Sequence, residues 1–211
     1  MSMRTLAAVL ALSGALGLAA CVTAPSPDAV RAPAPVRAVD LDRFYAGRWL
    51  EIARLPMRLT DGCVAGATHY VVVNPTRVDV RDTCQVGSPQ GREKAIGGRG
   101  EVLDPGMNTK LRVRYLGGLI TWDYWVLDHA EDYSWFISAD PTFDKLWIYT
   151  REVPDAAERR ALVARAAALG SNASSARSEE ETYHENPRYG DNERRSDATH
   201  FSPALRVAAA G

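Results

Sequence analysis

The sequence predicts an all-β domain, an eight-stranded antiparallel up-and-down barrel with one α-helix packed against its outside. Two observations favour this fold class. Turn signals recur at short intervals from residue 40 onward, and the segments between them are rich in Val, Ile, Tyr, Trp and Thr. Eight short strands joined by hairpin-length links fit a closed barrel, whose interior holds side chains or one small ligand. A β-sandwich is the alternative, because periodicity alone does not close a sheet.

The composition fits one folded domain. The 211 residues are 46% hydrophobic, which is enough for one well-packed core once processed or disordered ends are removed. The 25 basic and 26 acidic residues form no long block of one sign in the middle of the chain. Nucleic acid is therefore not an expected partner, because its recognition needs a concentrated basic surface.

Residues 1–20 resemble the signal peptide of a bacterial lipoprotein. A positively charged start precedes an apolar run over residues 5–18, which is too short to span a bilayer comfortably. The run ends in Leu18-Ala19-Ala20-Cys21, which resembles the lipobox at which the Cys is acylated and the preceding peptide is removed. The resemblance implies that Cys21 is a lipid anchor to a membrane. The alternatives are an ordinary secretory signal with an incidental Cys and a buried first helix.

Residues 21–39 are predicted to form an extended spacer behind the acylated Cys, because Pro, Ala and Val dominate them. Val22 stands where lipoproteins kept in the inner membrane carry Asp. The resemblance therefore implies attachment to the outer membrane, and the face of that membrane stays open. The barrel and its helix are assigned to residues 40–170.

The eight predicted strands lie between residues 49 and 151, and Gly, Pro, Asn or Asp residues separate most of them. Alternation is clearest from Leu111 to Tyr115, where apolar and charged residues face opposite sides of a sheet. The predicted strands are Trp49 to Arg54, His69 to Val73, Arg77 to Asp82, a segment ending in Arg99 to Val102, Lys110 to Leu116, Thr121 to Leu127, Tyr133 to Ser138 and Leu146 to Arg151.

One amphipathic helix is predicted after the last strand. Asp155 with Glu158 three residues later forms a capping box, and Gly170 supplies the stop signal. The other side of this helix is too polar for a central position, so it should lie against the outside of the barrel. Its apolar positions are Leu162, Val163, Ala166 and Leu169.

Residues 171–211 differ in composition from the rest of the chain. Ser, Asn, Glu and Arg prevail, and almost nothing apolar precedes Phe201. This segment is predicted to be a disordered polar tail. A late short strand or a partner-binding segment around Ala204 to Val207 is the alternative.

The segment Gly47-Arg48-Trp49-Leu50-Glu51 resembles the first signature of the lipocalins, a Gly-x-Trp at the entry of the first strand. The resemblance covers about residues 39 to 170. Two departures from the family are Leu50, where a Tyr is usual, and the end of the chain after Gly170. Later segments resemble the last three strands of bacterial outer-membrane lipocalins and apolipoprotein D, and they are Tyr124 to Leu127, Tyr133 to Ile137 and Leu146 to Arg151.

The resemblance implies a structural role for two residues in barrel closure. Trp49 is expected to plug the closed end, and Arg151, at the end of the last strand, is expected to pack across its indole ring. The alternative is a surface Arg and an ordinary core Trp.

Cys63 and Cys84 lie at similar distances on either side of a hairpin turn near Asn74, which allows them to face each other across two strands. Export to an oxidising compartment favours a disulfide between them. Two separate buried thiols are the alternative. No metal site is expected, because no His lies at a ligand spacing from either Cys.

Alternation, combined with alignment to lipocalin strands, selects the wall of an internal cavity. A one-residue slip would turn this set outward, and core packing is the alternative role for each member. Inward Gly98 and Gly100 are expected to leave room for a ligand. An apolar wall with scattered hydroxyls suits a fatty acid or a lysophospholipid. The predicted ligand-binding residues are Val113, Tyr115, Tyr124, Val126, Phe136 and Ser138.

The sequence carries no motif of a known catalytic site, and its four His residues form no local cluster, so we expect neither catalysis nor a cofactor. A barrel enzyme acting on lipids would need a polar pair, for which Asp128 is the only nearby acid. The leading interpretation is a membrane-anchored lipocalin that binds a small hydrophobic ligand for lipid transport, storage or envelope maintenance. The alternative is a structural lipoprotein with a filled barrel that recruits a partner through its tail, and a homodimer stays open.

Overall fold

The structure is a computed structural model that describes residues 31–170 and the backbone of residues 177 and 178. The helices are α1 (Leu41–Phe44) and α2 (Ala156–Ala168), and single 3-10 turns occupy Arg58–Thr60 and Leu116–Gly118. The strands are β1 (Gly47–Arg54), β2 (Cys63–Asn74), β3 (Arg77–Val86), β4 (Glu93–Val102), β5 (Lys110–Tyr115), β6 (Ile120–His129), β7 (Trp135–Ala139), β8 (Leu146–Thr150) and β9 (Arg177–Ser178).

β1 closes the barrel by pairing with both the second and the eighth strand. From β2 to β8, each strand is antiparallel to its neighbour in sequence and hydrogen-bonded to it. Residues 47–50 of β1 pair with β2, and residues 50–54 pair with β8. The predicted eight-stranded up-and-down barrel is therefore confirmed, and the sandwich alternative is wrong.

The short strand β9 pairs with Ala53 and Arg54, in the part of β1 that is no longer paired with β2. The rest of the predicted polar tail lies outside the described residues. The predicted signal peptide and the predicted anchor Cys21 also lie outside them.

Several strand boundaries differ from the sequence-based prediction, such as the end of β3 at Val86 rather than Asp82, and those at the starts of β2 and β7 have a structural cause. β2 begins at Cys63 rather than His69, and its pairing with β3 shifts register between Val64 and Ala67. Irregular pairing and small residues make such a stretch look unlike a strand in the sequence. β7 begins at Trp135 because Tyr133 adopts a left-handed backbone conformation, with φ of 60°, in the preceding turn.

Two apolar cores lie on opposite faces of the sheet. One fills the lower part of the barrel interior, and the other lies between α2 and the outer face of the strands around β8. α2 is capped by Asp155, whose carboxylate accepts hydrogen bonds from the N–H groups of Ala157 and Glu158 at 2.8 Å. Leu162 and Ala166 of α2 are buried in the outer core, so the helix lies outside the barrel as predicted. Over the described residues, we find no helix with the length and apolar character needed to cross a membrane.

The turns define two ends of the barrel. The upper end carries the turns at residues 55–62, 87–92, 116–119 and 140–145, and the lower end carries those at 75–76, 103–109 and 130–134. The segment before α1 runs along the outside between these ends. The Ala32 N–H donates to the Pro141 carbonyl at the upper end, and the Val39 N–H donates to the Met107 carbonyl at the lower end.

Candidate ligand-binding site

A cavity of about 460 Å³ occupies the upper part of the barrel interior. The side chains of Leu59, Lys94 and Leu116 contribute to its rim and are exposed to solvent. Because these residues lie on the upper-end turns or beside them, the cavity opens at the upper end. Its volume falls within the range of sites that hold small-molecule ligands.

The six residues predicted to form the cavity wall are all buried inside the barrel, but they lie at different depths. Tyr115 and Tyr124 line the cavity. The other four do not line it, and Val113, Val126 and Phe136 belong to the packed inner core. Ser138 faces the same side of the sheet as Val126, its partner across β6 and β7. Alternation therefore identifies the inner face of each strand but not the depth at which the cavity ends.

Aromatic rings fill the lower part of the barrel. The Phe136 ring lies 4.6 Å from the Trp49 ring, 4.9 Å from the Phe44 ring and 4.7 Å from the Tyr149 ring, measured between centroids. Phe44 belongs to α1, which covers the lower end. Edge and stacked contacts at these distances stabilise a dense core. A ligand is therefore confined to the upper part.

Two inward glycines were expected to leave room for a ligand, and this expectation is wrong. A Cβ atom added at Gly98 would lie 2.5 Å from a methyl carbon of Val113 and 2.8 Å from the Tyr115 ring. One added at Gly100 would lie 2.9 Å from a methyl carbon of Leu111. The neighbouring side chains of β5 already occupy this space, so the glycines allow β5 to pack closely against β4.

The floor of the cavity is polar, which the sequence-based analysis missed. The Asp82 carboxylate accepts hydrogen bonds from the Thr68 hydroxyl at 2.7 Å and from the Tyr115 hydroxyl at 2.6 Å. The Tyr124 hydroxyl oxygen lies 3.0 Å from that of Tyr115. Burial raises the pKa of Asp82, and the two hydrogen bonds it accepts partly offset this effect. Burial and the nearby Asp82 carboxylate also raise the pKa of Tyr115 and Tyr124 well above the usual value, so both remain neutral hydrogen-bond donors.

An ion pair from β1 faces the same cavity. The Arg54 guanidinium donates to Glu51 at 2.6 Å and also to the carbonyl oxygens of Thr60 at 3.2 Å and Cys63 at 3.0 Å. The register between β1 and β8 shifts between Glu51 and Ala53. This bulge brings Glu51 and Arg54, three residues apart, to the same inner face, where strict alternation would put them on opposite faces.

Two tryptophans complete the upper wall. The Trp147 ring centroid lies 4.7 Å from that of Tyr124 and 6.1 Å from that of Trp122, and all three rings line the cavity. Neither tryptophan was among the predicted wall residues. The sequence could have identified Trp122 as a wall residue, because it lies two positions before Tyr124 on the same strand and therefore faces inward with it.

A family model described as a lipocalin-like domain matches residues 39–180, which is more than half of the chain. The chain belongs to this lipocalin family. Lipocalins typically bind small hydrophobic ligands and are generally not enzymes.

Three proteins are similar to this lipocalin in sequence or in fold. A protein of Acanthamoeba polyphaga mimivirus named as a lipocalin is 29% identical over 123 residues, covering 54% of this chain and 67% of the viral protein. Insecticyanin from the tobacco hornworm Manduca sexta has a TM-score of 0.52 at 20% identity, covering 69% of this chain and 82% of its own. The amine-binding protein of Rhodnius prolixus, solved with tryptamine, has a TM-score of 0.51 at 13% identity, covering 72% and 87%. The two structural likenesses show the fold alone.

Trp49 and Arg151 meet at the lower end of this lipocalin. The Arg151 guanidinium carbon lies 3.6 Å from the centroid of the Trp49 ring. The Trp49 indole N–H donates to the Phe44 carbonyl at 3.1 Å. The Arg151 guanidinium donates to four carbonyl oxygens, those of Arg43, Phe44, Ala46 and Arg48. Partial burial lowers the pKa of Arg151 to about 10, so it stays charged at neutral pH.

The predicted disulfide between Cys63 and Cys84 is confirmed. It joins β2 to β3 beside the upper part of the cavity, and both residues contribute to the wall. The bridge spans the stretch where the pairing of these two strands is irregular. It therefore joins the two strands of the cavity wall covalently beside an irregular stretch of their pairing.

Asp128 lies outside the barrel. Its carboxylate forms ion pairs with Arg37, which precedes α1, and with Arg165 of α2. Although partial burial raises the pKa of Asp128, the hydrogen bonds and charges of these arginines lower it overall. Arg165 also lies 5.1 Å from the centroid of the Trp135 ring. Asp128 and Trp135 therefore belong to the contact between α2 and the outer face of the barrel.

Within residues 31–170, no group of three or more His, Cys, Asp or Glu side chains is arranged to hold a metal ion. The polar groups that face the cavity are hydrogen-bonded to one another, as for Asp82 with Tyr115 and Glu51 with Arg54. This arrangement suits ligand recognition.

Proposed function

We propose that this lipocalin binds one small amphipathic lipid, of the fatty-acid or lysophospholipid class, inside the barrel. The observation that carries the proposal is the cavity of about 460 Å³, open at one end and lined by the rings of Trp122, Tyr124 and Trp147. Removing the apolar chain of a lipid from water supplies the binding free energy, at about 25 cal/mol per Å² of buried apolar surface.

The rim of the cavity also favours a lipid ligand. Leu59 and Leu116 are each 58% exposed, and Leu119 in the neighbouring turn is 86% exposed. Apolar side chains grouped at the mouth of a cavity mark a surface that contacts apolar molecules. A lipid that leaves a membrane or a micelle would meet these side chains first.

We further propose that Cys21 tethers the protein to the outer membrane, where it serves lipid transport, storage or envelope maintenance. The first contact of the described chain with the barrel is that of Ala32 with the upper end, where the cavity opens. The eleven Cα–Cα steps from Cys21 to Ala32 can span at most about 40 Å. This geometry favours a mouth that stays close to the bilayer.

A barrel filled by its own side chains is a weaker candidate, because the upper part holds a cavity. The test is native mass spectrometry of the full chain incubated with a fatty acid or a lysophospholipid. We expect one lipid per chain, and loss of that adduct in Ile96→Trp, because Ile96 lines the cavity and a larger ring would fill it. Arg99→Trp is the matched control, since Arg99 lies on the same strand and is exposed.

Absence of an adduct from a folded wild-type protein would contradict the binding proposal. Tethering has a separate test, in which membrane fractionation compares the wild type with Cys21→Ser. We expect the variant to leave the membrane fraction, because the acyl chains supply most of the attachment energy. Equal membrane retention of both proteins would contradict the anchor.

A further inference from the structure

We infer that the cavity recognises a cationic head group, an ammonium carried on an apolar chain, with Asp82 as its counter-ion and aromatic rings around it. This inference rests on the proposed function, because it names the chemical class of ligand for the same cavity. A fatty acid has an anionic head group, so the cavity is expected to prefer an ammonium ligand to a fatty acid.

The charge of Asp82 favours a cationic ligand. Its carboxylate is held by two neutral donors, the hydroxyl groups of Thr68 and Tyr115. In the described part of the chain, no Lys, Arg or His side chain forms an ion pair with Asp82. A carboxylate in a poorly solvated cavity without a cation attracts a cationic ligand.

Arg54 is the buried cation of the cavity wall. Its guanidinium already donates to the Glu51 carboxylate and to the carbonyl oxygens of Thr60 and Cys63. A ligand carboxylate would have to displace these partners. With all three groups ionised, the interior charges of Glu51, Arg54 and Asp82 therefore sum to one negative charge. The deep part of the cavity repels an anionic head group.

The aromatic wall also favours an ammonium group. Trp122 and Trp147 face the cavity beside Tyr124, and Tyr115 lies 5.9 Å from Trp122 between ring centroids. Ring faces attract ammonium groups, and several rings around one carboxylate form the kind of cage that binds quaternary ammonium ligands. The same rings also contact an apolar chain, so one wall serves both parts of an amphipathic cation.

Other ionisable groups at the cavity do not compensate Asp82. The tyrosines are neutral, because burial raises the pKa of Tyr115, Tyr124 and Tyr149 well above the usual value. The charged residues of the rim are exposed to water, where screening weakens their effect on the interior. They are Arg92, Glu93 and Lys94.

The test compares three ligands that differ only in their head group: decyltrimethylammonium, decanol and decanoate. Each is titrated into the full chain at neutral pH, below its micelle concentration, and binding is followed by calorimetry and by the fluorescence of the cavity tryptophans. We expect decyltrimethylammonium to bind about tenfold or more tightly than decanoate, with decanol between them. Equal affinities, or tighter binding of decanoate, would overturn the inference while leaving the proposed function in place.

Asp82→Asn supplies the second measurement, because it removes the charge and keeps the size of the side chain. We expect it to lower decyltrimethylammonium affinity about tenfold or more and to leave decanol affinity within about threefold. Asp79→Asn is the matched control, since Asp79 lies on the same strand and pairs with Arg77. An unchanged cation preference in a folded Asp82→Asn protein would overturn the inference. The wild-type ranking decides the question if that variant does not fold.

Two sources could provide this head group, a choline-bearing lysophospholipid or a free long-chain amine. Lysophosphatidylcholine and lysophosphatidylglycerol of one chain length separate them. Tighter binding of the choline lipid would support a lipid source. If both lysophospholipids bind weakly while decyltrimethylammonium binds tightly, the source is a free amine. If none of the probes binds the folded protein, the proposed function fails, and the head-group inference fails with it.

Discussion

The guanidinium of Arg151 lies 3.6 Å from the centroid of the Trp49 indole ring and closes the lower end of the barrel. The same group donates hydrogen bonds to four carbonyl oxygens in residues 43–48. One side chain thus connects the last strand to the first strand and to the helix before it. These contacts of Arg151 form one network, and its removal should lower the free energy of unfolding measurably.

We expect Arg151→Ala to lower the free energy of unfolding by about 2 to 4 kcal/mol, because the cation–π contact and several hydrogen bonds are lost together. Arg151→Lys should recover only part of this loss, since an ammonium cannot reach the same set of acceptors. Urea denaturation measures both values, with the exposed Arg99→Ala as the control. A loss no larger than that of the control would show that the network is not stabilising.

The glycine pair of β4 offers a second test. A Cβ atom at Gly98 would lie 2.8 Å from the Tyr115 ring, whereas one at Gly97 would have the Val80 carbonyl oxygen as its nearest neighbour, at 3.9 Å. We expect Gly98→Ala to cost about 1 to 3 kcal/mol of stability and to disturb the hydrogen bond from Tyr115 to Asp82. Gly97→Ala should be close to neutral. Equal unfolding midpoints for the two variants would contradict the close packing inferred here.

The disulfide closes a loop with a sequence separation of 21 residues. We expect Cys63→Ser combined with Cys84→Ser to lower the free energy of unfolding by about 3 kcal/mol, mainly because the unfolded chain gains freedom. Reduction of the wild type with dithiothreitol should give a similar loss, which controls for the serine side chains. A double variant as stable as the oxidised wild type would refute a stabilising role.

Asp128 should contribute stability that depends on pH. Its arginine partners hold the pKa of Asp128 in the folded protein below the usual aspartate value. The stability that the Asp128 ion pairs contribute is therefore complete above the aspartate pKa of the unfolded chain, and it is lost as the pH falls through the lower pKa of the folded protein. We expect Asp128→Asn to lower the free energy of unfolding by about 1 kcal/mol at neutral pH. The loss is small because both arginines are about half exposed to water. Thermal melts between about pH 7 and pH 2 test this. If the stability difference between the wild type and Asp128→Asn does not shrink in acid, the ion pairs of Asp128 are not its source.

The charge of Asp82 gives the opposite dependence on pH. Burial raises its pKa, so the folded protein gains stability relative to the unfolded chain as pH falls through the raised value. We expect Asp82→Asn to be more stable than the wild type at neutral pH, with a gap that narrows in acid. Decyltrimethylammonium affinity for the wild type should fall over the same pH range, whereas its affinity for Asp82→Asn should stay flat. A flat profile for both proteins would remove Asp82 from ligand recognition.

The barrel could be predicted from the sequence because its turns and alternating strands are local features. The depth of the cavity could not, because it depends on contacts between rings that are far apart in sequence, such as Phe44 and Phe136. Alternation gives the direction of a side chain and carries no information on what lies above or below it.

The polar floor was missed for a different reason. Asp82 shares the inner face of β3 with Val78 and Val80. The sequence therefore did show a charged residue at an inward position of the same alternating pattern as two apolar residues. The predicted wall residues all lie on β5, β6 and β7, so β3 contributed none of them. The ion pair of Glu51 with Arg54 had no comparable signal, because a bulge changes which residues face inward without leaving a clear mark in the sequence.

That bulge in β1 has a consequence for how ligand preference evolves in such barrels. If the same residues of β1 paired in regular alternation, without the bulge, Arg54 would point to the outer surface and Glu51 would lose its ion pair in the interior. Two proteins with the same residues in the first strand, one bulged and one regular, would then accept ligands of different charge. A change of specificity in this fold can therefore arise from the pairing register of one strand, with every side chain of the site conserved.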